Sequence, residues 1–208
     1  MFTGIIESVG RIVSIDPRGG DVRMHIEAQD GYLADTGLGD SVAVSGICLT
    51  VREKTERGFT ADLSVETLQA TSSGTWAPGR RVNLEKALTP HKPLGGHMVS
   101  GHVDGVGKLL ERRQDARSWR MQFEVPGPLA RYIARKGSIT IDGISLTVND
   151  VEGATRPEAA GCTFGVNIIP HTLDQTTLGD LQPGDAVNLE VDLIARYLER
   201  LLQARETP

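Results

Sequence analysis

The chain has 208 residues, with 22 Lys and Arg against 27 Asp and Glu and a formal net charge of −5. Basic and acidic residues are interspersed and no basic run alternates with aromatics, which argues against nucleic acid as the main partner. No apolar stretch approaches the roughly eighteen residues of a membrane-crossing helix, no basic leader precedes Glu7, and Cys48 and Cys162 form neither a paired framework nor a Cys-x-x-Cys metal motif. The expected setting is a reducing cytoplasm, with no membrane and no nucleic acid partner.

The opening segment, Met1-Phe2-Thr3-Gly4-Ile5-Ile6-Glu7-Ser8-Val9-Gly10, returns 97 positions later as Met98-Val99-Ser100-Gly101-His102-Val103-Asp104-Gly105-Val106-Gly107. At the same offset Ser45-Gly46-Ile47-Cys48-Leu49-Thr50-Val51 recurs as Asp142-Gly143-Ile144-Ser145-Leu146-Thr147-Val148. Val82-Asn83-Leu84-Glu85 then returns as Val187-Asn188-Leu189-Glu190, now 105 positions on, so about eight residues are inserted in the second copy. A period this long is the size of a whole small domain, not of a solenoid unit. The expected division is residues 1–97, residues 98–192 and a tail at 193–208. Each unit can bury a core, yet is small enough that packing between the two should matter.

Both copies read as about six short Val-, Ile-, Thr- and Leu-rich runs separated by Gly, Pro and Asp, the signature of an antiparallel barrel or sandwich. Short helices are expected over 128–135, where Pro128 starts a segment with Leu129, Tyr132 and Ile133 on one face, and at Glu66-Thr67-Leu68 and His171-Thr172-Leu173. Residues 89–96, with two prolines and two glycines, form the linker, and residues 152–158 an extended hairpin loop. After Asp192, Leu193, Ile194, Tyr197, Leu198, Leu201 and Leu202 share a helical face with no counterpart in the repeat. This helix either packs on its own barrels or seeds an oligomer.

Gly101 to Lys108 fits neither a dinucleotide fingerprint nor a phosphate loop, and its copy at Gly4 to Arg11 marks it as repeated architecture. His91, His97 and His102 lack the neighbouring ligands of a metal site, and no metal is expected. The copies disagree at chemically loaded positions. His102 stands opposite Ile5, Cys48 opposite Ser145, Ser45 opposite Asp142, Glu66 opposite His171 and Lys136 opposite Gly39. Pattern alone thus yields two related sites with different acid–base and nucleophilic equipment.

The repeated segments, together with Gly95-Gly96-His97, Lys136-Gly137-Ser138-Ile139-Thr140-Ile141 and Ile169-Pro170-His171-Thr172-Leu173, resemble the riboflavin synthase family over nearly the whole chain. The resemblance implies an all-β fold of two tandem six-stranded antiparallel Greek-key barrels with short helices and a C-terminal amphipathic helix. It further implies a homotrimer held by that helix, with the working site between the N-terminal barrel of one subunit and the C-terminal barrel of its neighbour. The implied reaction is a transferase dismutation. One molecule of 6,7-dimethyl-8-ribityllumazine passes a four-carbon unit to a second, giving riboflavin and 5-amino-6-ribitylamino-pyrimidinedione, without metal or redox cofactor. Docking with lumazine synthase, the enzyme that makes the substrate, is left open.

The acceptor must lose a C7-methyl proton and the donor must gain a nucleophile at C7, which explains why two near-copies cannot be identical. The resemblance assigns proton transfer to His102, with Ser145 and Thr147 from the adjoining C-terminal barrel. Cys48 and Ser41 assist nucleophilic addition or polarise a water, and His97 with Phe2 and Thr3 closes the site. It implies substrate contacts from Gly4, Ile5, Ile6, Cys48, Leu49, Thr50, Asp62, Leu63, Ser64, Val65, Glu66 and Thr67. From the second copy it adds Gly101, His102, Val103, Lys136, Ser145, Leu146, Thr147, Ile169, Pro170, His171, Thr172, Leu173 and Asp174. Asp62 and Lys136 suit ribityl hydroxyls or ring carbonyls. Ile47 replaces a second cysteine found in some relatives, so a two-thiol mechanism is closed to this chain. Ser45 and Ser64 also depart from the family pattern. The alternative is a non-catalytic lumazine- or flavin-binding antenna protein of the same fold. A flavin-dependent reductase lacks support because no βαβ dinucleotide unit is present.

Overall fold

The computed structural model describes residues 1–153 and 161–206. The first copy contributes β1 (Ser8–Arg18), β2 (Asp21–Glu27), β3 (Ser41–Val44), β4 (Ile47–Thr50), β5 (Glu53–Lys54), β6 (Gly58–Leu63), α1 (Val65–Ala70) and β7 (Arg81–Lys86). The second contributes β8 (Gly105–Asp115), β9 (Ser118–Val125), α2 (Gly127–Ala130), β10 (Ser138–Ile141), β11 (Ile144–Gly153), β12 (Cys162–Ile168), α3 (Pro170–Gln175) and β13 (Ala186–Val191). The tail forms α4 (Leu193–Glu206). All of the expected helices are present, although the one expected over 128–135 is regular only as α2 before continuing as turns.

Strands β10-β11-β12-β9-β8-β13 close into a six-stranded antiparallel barrel. The long connection through α2 sets β9 beside β12 rather than β10, which is the Greek-key order. The first copy repeats this order as β4-β3-β7-β1-β2-β6-β5. Here the strand equivalent to β11 is broken at Val51-Arg52 into β4 and β5, which therefore sit at opposite edges of one wrapped sheet. The Arg52 N–H still donates to the Thr60 carbonyl at 2.9 Å, so the chain bridges the gap. In the second copy the same place carries only a bulge, between Val148 and Asp150.

The β11–β12 ladder runs out to Gly153 opposite Cys162, whereas β5–β6 ends at Lys54 opposite Phe59. Of the loop expected at 152–158, residues 154–158 lie outside the described residues.

Each barrel has its own core. Ile12, Met24, Ile26, Phe59 and Leu84 centre the first, and Leu109, Phe123, Ile139, Phe164 and Leu189 the second. Strand alternation puts Val42, Val44, Ile47 and Leu49 inside, so Ser41, Ala43, Cys48 and Thr50 face outward. The β3–β4 and β10–β11 hairpins turn through two residues with positive φ. These are Ser45 (44°) with Gly46 (83°) and Asp142 (46°) with Gly143 (80°), the left-handed pair that a two-residue hairpin needs.

The barrels pack through these turns about a pseudo-twofold axis. A Cβ on Gly46 would lie 2.8 Å from the Gly143 nitrogen, and one on Gly143 would lie 2.7 Å from the Gly46 nitrogen. The Asn83 side chain donates to the Asp142 carbonyl at 3.0 Å and accepts from the Thr177 N–H at 2.8 Å. Asn188 reciprocates toward the Ser45 carbonyl at 2.9 Å and the Ser72 N–H at 2.7 Å. Both asparagines are fully buried, and each pairs polar backbone that the other barrel would otherwise leave stranded.

Helix α4 is held by its polar side. Arg196 pairs with Asp104, and Glu199 accepts from Arg131 and from the Tyr132 hydroxyl. Ile194, Tyr197, Leu198, Leu201 and Leu202 are exposed, so within one chain the apolar face of the helix is not the face that packs on the barrel. The linker begins in the same way as the tail. Lys92 pairs with Glu7 just as Arg196 pairs with Asp104, and Glu7 and Asp104 are equivalent positions of the repeat.

Candidate functional site

The leading segments of the two copies cross over. Phe2 and Val99 pair with each other in an antiparallel bridge, the Phe2 N–H donating to the Val99 carbonyl at 2.7 Å and the Val99 N–H returning to Phe2 at 3.1 Å. From this crossing each arm runs over the outer face of the other barrel. The Cys48 N–H donates to the Gly101 carbonyl, and the Ser145 N–H to the Gly4 carbonyl, each at 2.8 Å. Val103 packs against the first core and Ile6 against the second. Glycine is required at both crossings. Gly101 and Gly4 have φ of 80° and 76°, and a Cβ there would come within 2.7 Å of the Cys48 Cβ and 2.6 Å of the Ser145 Cβ.

The structure thereby builds two constellations. The first gathers Cys48, Gly101 and His102 with Phe2, and it includes Ser41, which pairs with Thr50 across β3 and β4 on the same outward face. His102 is exposed and Cys48 half-buried, so neither is sealed in a core. Ser41 also borders a cleft of about 380 Å³ shared with Glu7, Lys86 and Lys92.

The second constellation gathers Ser145, Gly4, Thr3 and His97, with Thr147 opposite Ser138 on the same face. The His97 N–H donates to the Thr3 carbonyl at 3.1 Å, and His97 Nδ1 lies 2.7 Å from Ser145 Oγ. Burial pushes the His97 imidazole below its ordinary pKa against the opposing pull of Asp192 and Glu190, which favours a neutral ring beside the hydroxyl. Its Nε2 is buried without a partner among the described residues. Lys136 occupies a left-handed position (φ 67°) just before β10 and is exposed.

The other expected residues are divided between these two constellations or lie apart from them. His102 and Ser145 belong to different constellations within one chain. Asp62, expected to meet hydroxyls or ring carbonyls, is bonded to Arg23 at 2.8 Å and to Arg52 at 2.9 Å, and Arg23 holds its carboxyl below the usual range. Ser64 caps α1 by accepting from the Thr67 N–H, with Val65 and Glu66 exposed beside it. Asp174 lines a separate cleft of about 430 Å³ with Glu7, Arg11, Glu27 and Arg81, at the end of α3, the helix that carries Pro170, His171, Thr172 and Leu173. Leu49 and Leu63 are core residues, and Leu146 is packed against the second core. Among the described residues no three His, Cys, Asp or Glu side chains cluster as metal ligands would.

The residues that shape both constellations were not among the expected ones. Glu85 and Glu190 are almost wholly buried, at 1% and 2% exposure. Glu85 accepts from the Thr3 N–H and hydroxyl and from the Gly4 N–H, and Glu190 from the equivalent groups of Ser100 and Gly101. Their sequence signal was the repeated Val-Asn-Leu-Glu itself, in which polar residues alternate with apolar ones along strands buried on both faces.

A family model described as "Lumazine binding domain" matches residues 3–87 and again 100–192. The chain is 46% identical to riboflavin synthase of Photobacterium phosphoreum, over 97% of this chain and 89% of that one. It is 43% identical to riboflavin synthase of Mycobacterium tuberculosis, over 98% and 99%, and 39% identical to that of Bacillus subtilis, over 97% and 90%. Among solved structures it superposes on LumP complexed with riboflavin with a TM-score of 0.81 at 24% identity, covering 92% of this chain and 99% of the other. That last likeness concerns the fold.

Proposed function

The chain belongs to the riboflavin synthase family of paired lumazine-binding domains, and from that premise we propose that it is itself a riboflavin synthase. Residues 1–97 and 98–192 each hold one 6,7-dimethyl-8-ribityllumazine. One molecule gives up a four-carbon unit to the other, releasing riboflavin and the ribitylamino-pyrimidinedione. The observation that carries this reading is the pair of equivalent outer-face constellations with unlike chemistry, Cys48 under the arm that carries His102 on one barrel and Ser145 with His97, whose ring burial favours as neutral, on the other. Two identical substrates can be sent to opposite fates only if their sites differ in this way.

His102 is positioned on a solvent-facing arm to move the C7-methyl proton of the acceptor. Cys48 or Ser41, or a water beside them, adds to the donor. Holding the two rings face to face supplies much of the acceleration through proximity. Because His102 and Ser145 sit in separate constellations of one chain, the complete site forms where the N-terminal barrel of one subunit meets the C-terminal barrel of another. The exposed apolar face of α4 is the surface that assembles the trimer. The protein works in the cytoplasm.

The test is incubation of the purified protein with 6,7-dimethyl-8-ribityllumazine without added metal or cofactor, following flavin absorbance. One riboflavin should form per two lumazines consumed. Binding without turnover would make the protein an antenna-type binder. His102→Gln should slow turnover about 100-fold while leaving lumazine affinity nearly unchanged, and equal losses in both would remove His102 from proton transfer.

A further inference from the structure

We infer that Glu190 is a positioning residue for His102, a role that rests on the function proposed above and extends it to a residue outside the substrate's reach. The two buried carboxylates share three equivalent donors and differ in the fourth. In the first copy, the N–H of Ile5 turns to the Thr3 hydroxyl at 3.2 Å, and the fourth donor to Glu85 is the Lys92 ammonium at 3.3 Å. In the second, the N–H of the equivalent residue, His102, donates to Glu190 Oε2 at 3.1 Å. Glu190 therefore collects four donors: the Ser100 N–H at 2.7 Å, the Ser100 hydroxyl at 2.6 Å, the Gly101 N–H at 2.9 Å and that of His102. A backbone bond in place of the ammonium thus appears only in the copy where the apolar residue has become an imidazole.

A buried carboxylate is tolerated only when its oxygens are bonded, and these four donors converge on it only if the arm keeps this one conformation. The arm is pinned again two residues later. Asp104 accepts from the Val191 N–H and pairs with Arg196 of α4, all at 2.8 Å. His102 thus stands between two carboxylate anchors, while the Gly101 carbonyl ties it to Cys48. Glu190 is part of the second barrel, yet it sets the geometry of a site on the first.

Glu190→Gln keeps the shape but turns an amide N–H toward two N–H donors, freeing the arm. With 6,7-dimethyl-8-ribityllumazine as substrate, kcat should fall at least about tenfold, since small misplacement of a reacting group is costly, with KM within about threefold. In a His102→Gln background the same change should cost less than about twofold, because residues acting as one unit are not additive. An equal fold-loss in both backgrounds overturns the assignment.

Ser100→Ala, which removes one donor and spares the fold, should show a smaller loss of the same kind that also vanishes with His102→Gln. It decides the matter if Glu190→Gln does not fold. The His102 Cε1–H proton resonance, identified by its absence in His102→Gln, should move in Glu190→Gln or Ser100→Ala. An unmoved resonance sinks the positioning role. Failure of the unaltered chain to turn over lumazine would sink the proposed function instead, and the resonance would still decide the role of Glu190.

Discussion

Ser45 in the first barrel and Asp142 in the second occupy the same hairpin turn, with nearly the same φ and the same neighbours, yet one is a neutral hydroxyl and the other a carboxyl. Each side chain accepts the N–H of the asparagine on the last strand of its own barrel, Ser45 from Asn83 at 3.1 Å and Asp142 from Asn188 at 2.8 Å. Around this difference the frame repeats: Gly46 and Gly143, and Asn83 and Asn188, are identical residues in equivalent contacts, and Glu85 and Glu190 share three of their four donors. Apart from Ser45 and Asp142, the barrels agree where they bind one another and diverge where they face outward, at Cys48 and Ser145 or Ile5 and His102. Divergence of side chains that face outward costs the frame little. A change in a residue that completes the other barrel's hydrogen bonds would leave buried groups without partners.

The largest expected effect breaks the agreement directly. Gly143→Ala adds a Cβ 2.7 Å from the Gly46 nitrogen at a φ of 80°, so the two turns can no longer touch. A loss of more than about 3 kcal/mol in urea unfolding is expected. A loss below about 1 kcal/mol would mean that the barrels do not pack through this pair.

Next is the polarity difference within the turns. Burial pushes the Asp142 carboxyl up to about 6 from the ordinary 3.8, the hydrogen bond from the Asn188 backbone opposing it. The folded state then binds the proton more tightly than the unfolded state, so stability should fall as pH rises from about 4 to about 6 and stay level above that. Asp142→Asn should flatten this segment of the profile and add about 1–3 kcal/mol at pH 7. An unchanged slope in denaturant titrations would show that Asp142 does not titrate there.

The smallest effect concerns the two outward hairpins. Cys48→Ser makes the first resemble the second and should slow lumazine turnover by less than about tenfold if a hydroxyl or water can add to the donor. A loss beyond about 100-fold would identify the thiolate as the attacking group.

The doubled architecture was legible because each unit is a small barrel whose hydrophobic alternation, turn glycines and buried polar pairs recur at a constant offset. The short helices at Glu66 and His171 and the amphipathic tail could be read for the same reason, since their determinants lie within a turn or two of chain. The break between β4 and β5 could not, because Val51-Arg52 and Val148-Asn149 look alike and the difference is settled by what lies across the sheet. Nor could the pairing of Asp62 with Arg23 and Arg52, which come from separate strands.

Local pattern and duplication were thus enough to specify two like all-β units, barrel or sandwich, with unlike chemistry at matching positions, and the family resemblance supplied the barrel. Tertiary structure alone decided that each arm serves the opposite barrel, that His97 meets Ser145 while the arm carrying His102 crosses Cys48 at Gly101, and that Glu85 and Glu190 bind those arms. Linear order says nothing about which of two equivalent partners a segment will cover. That choice is made when the Phe2–Val99 bridge and the turn glycines bring the barrels together and their buried polar groups must all find partners.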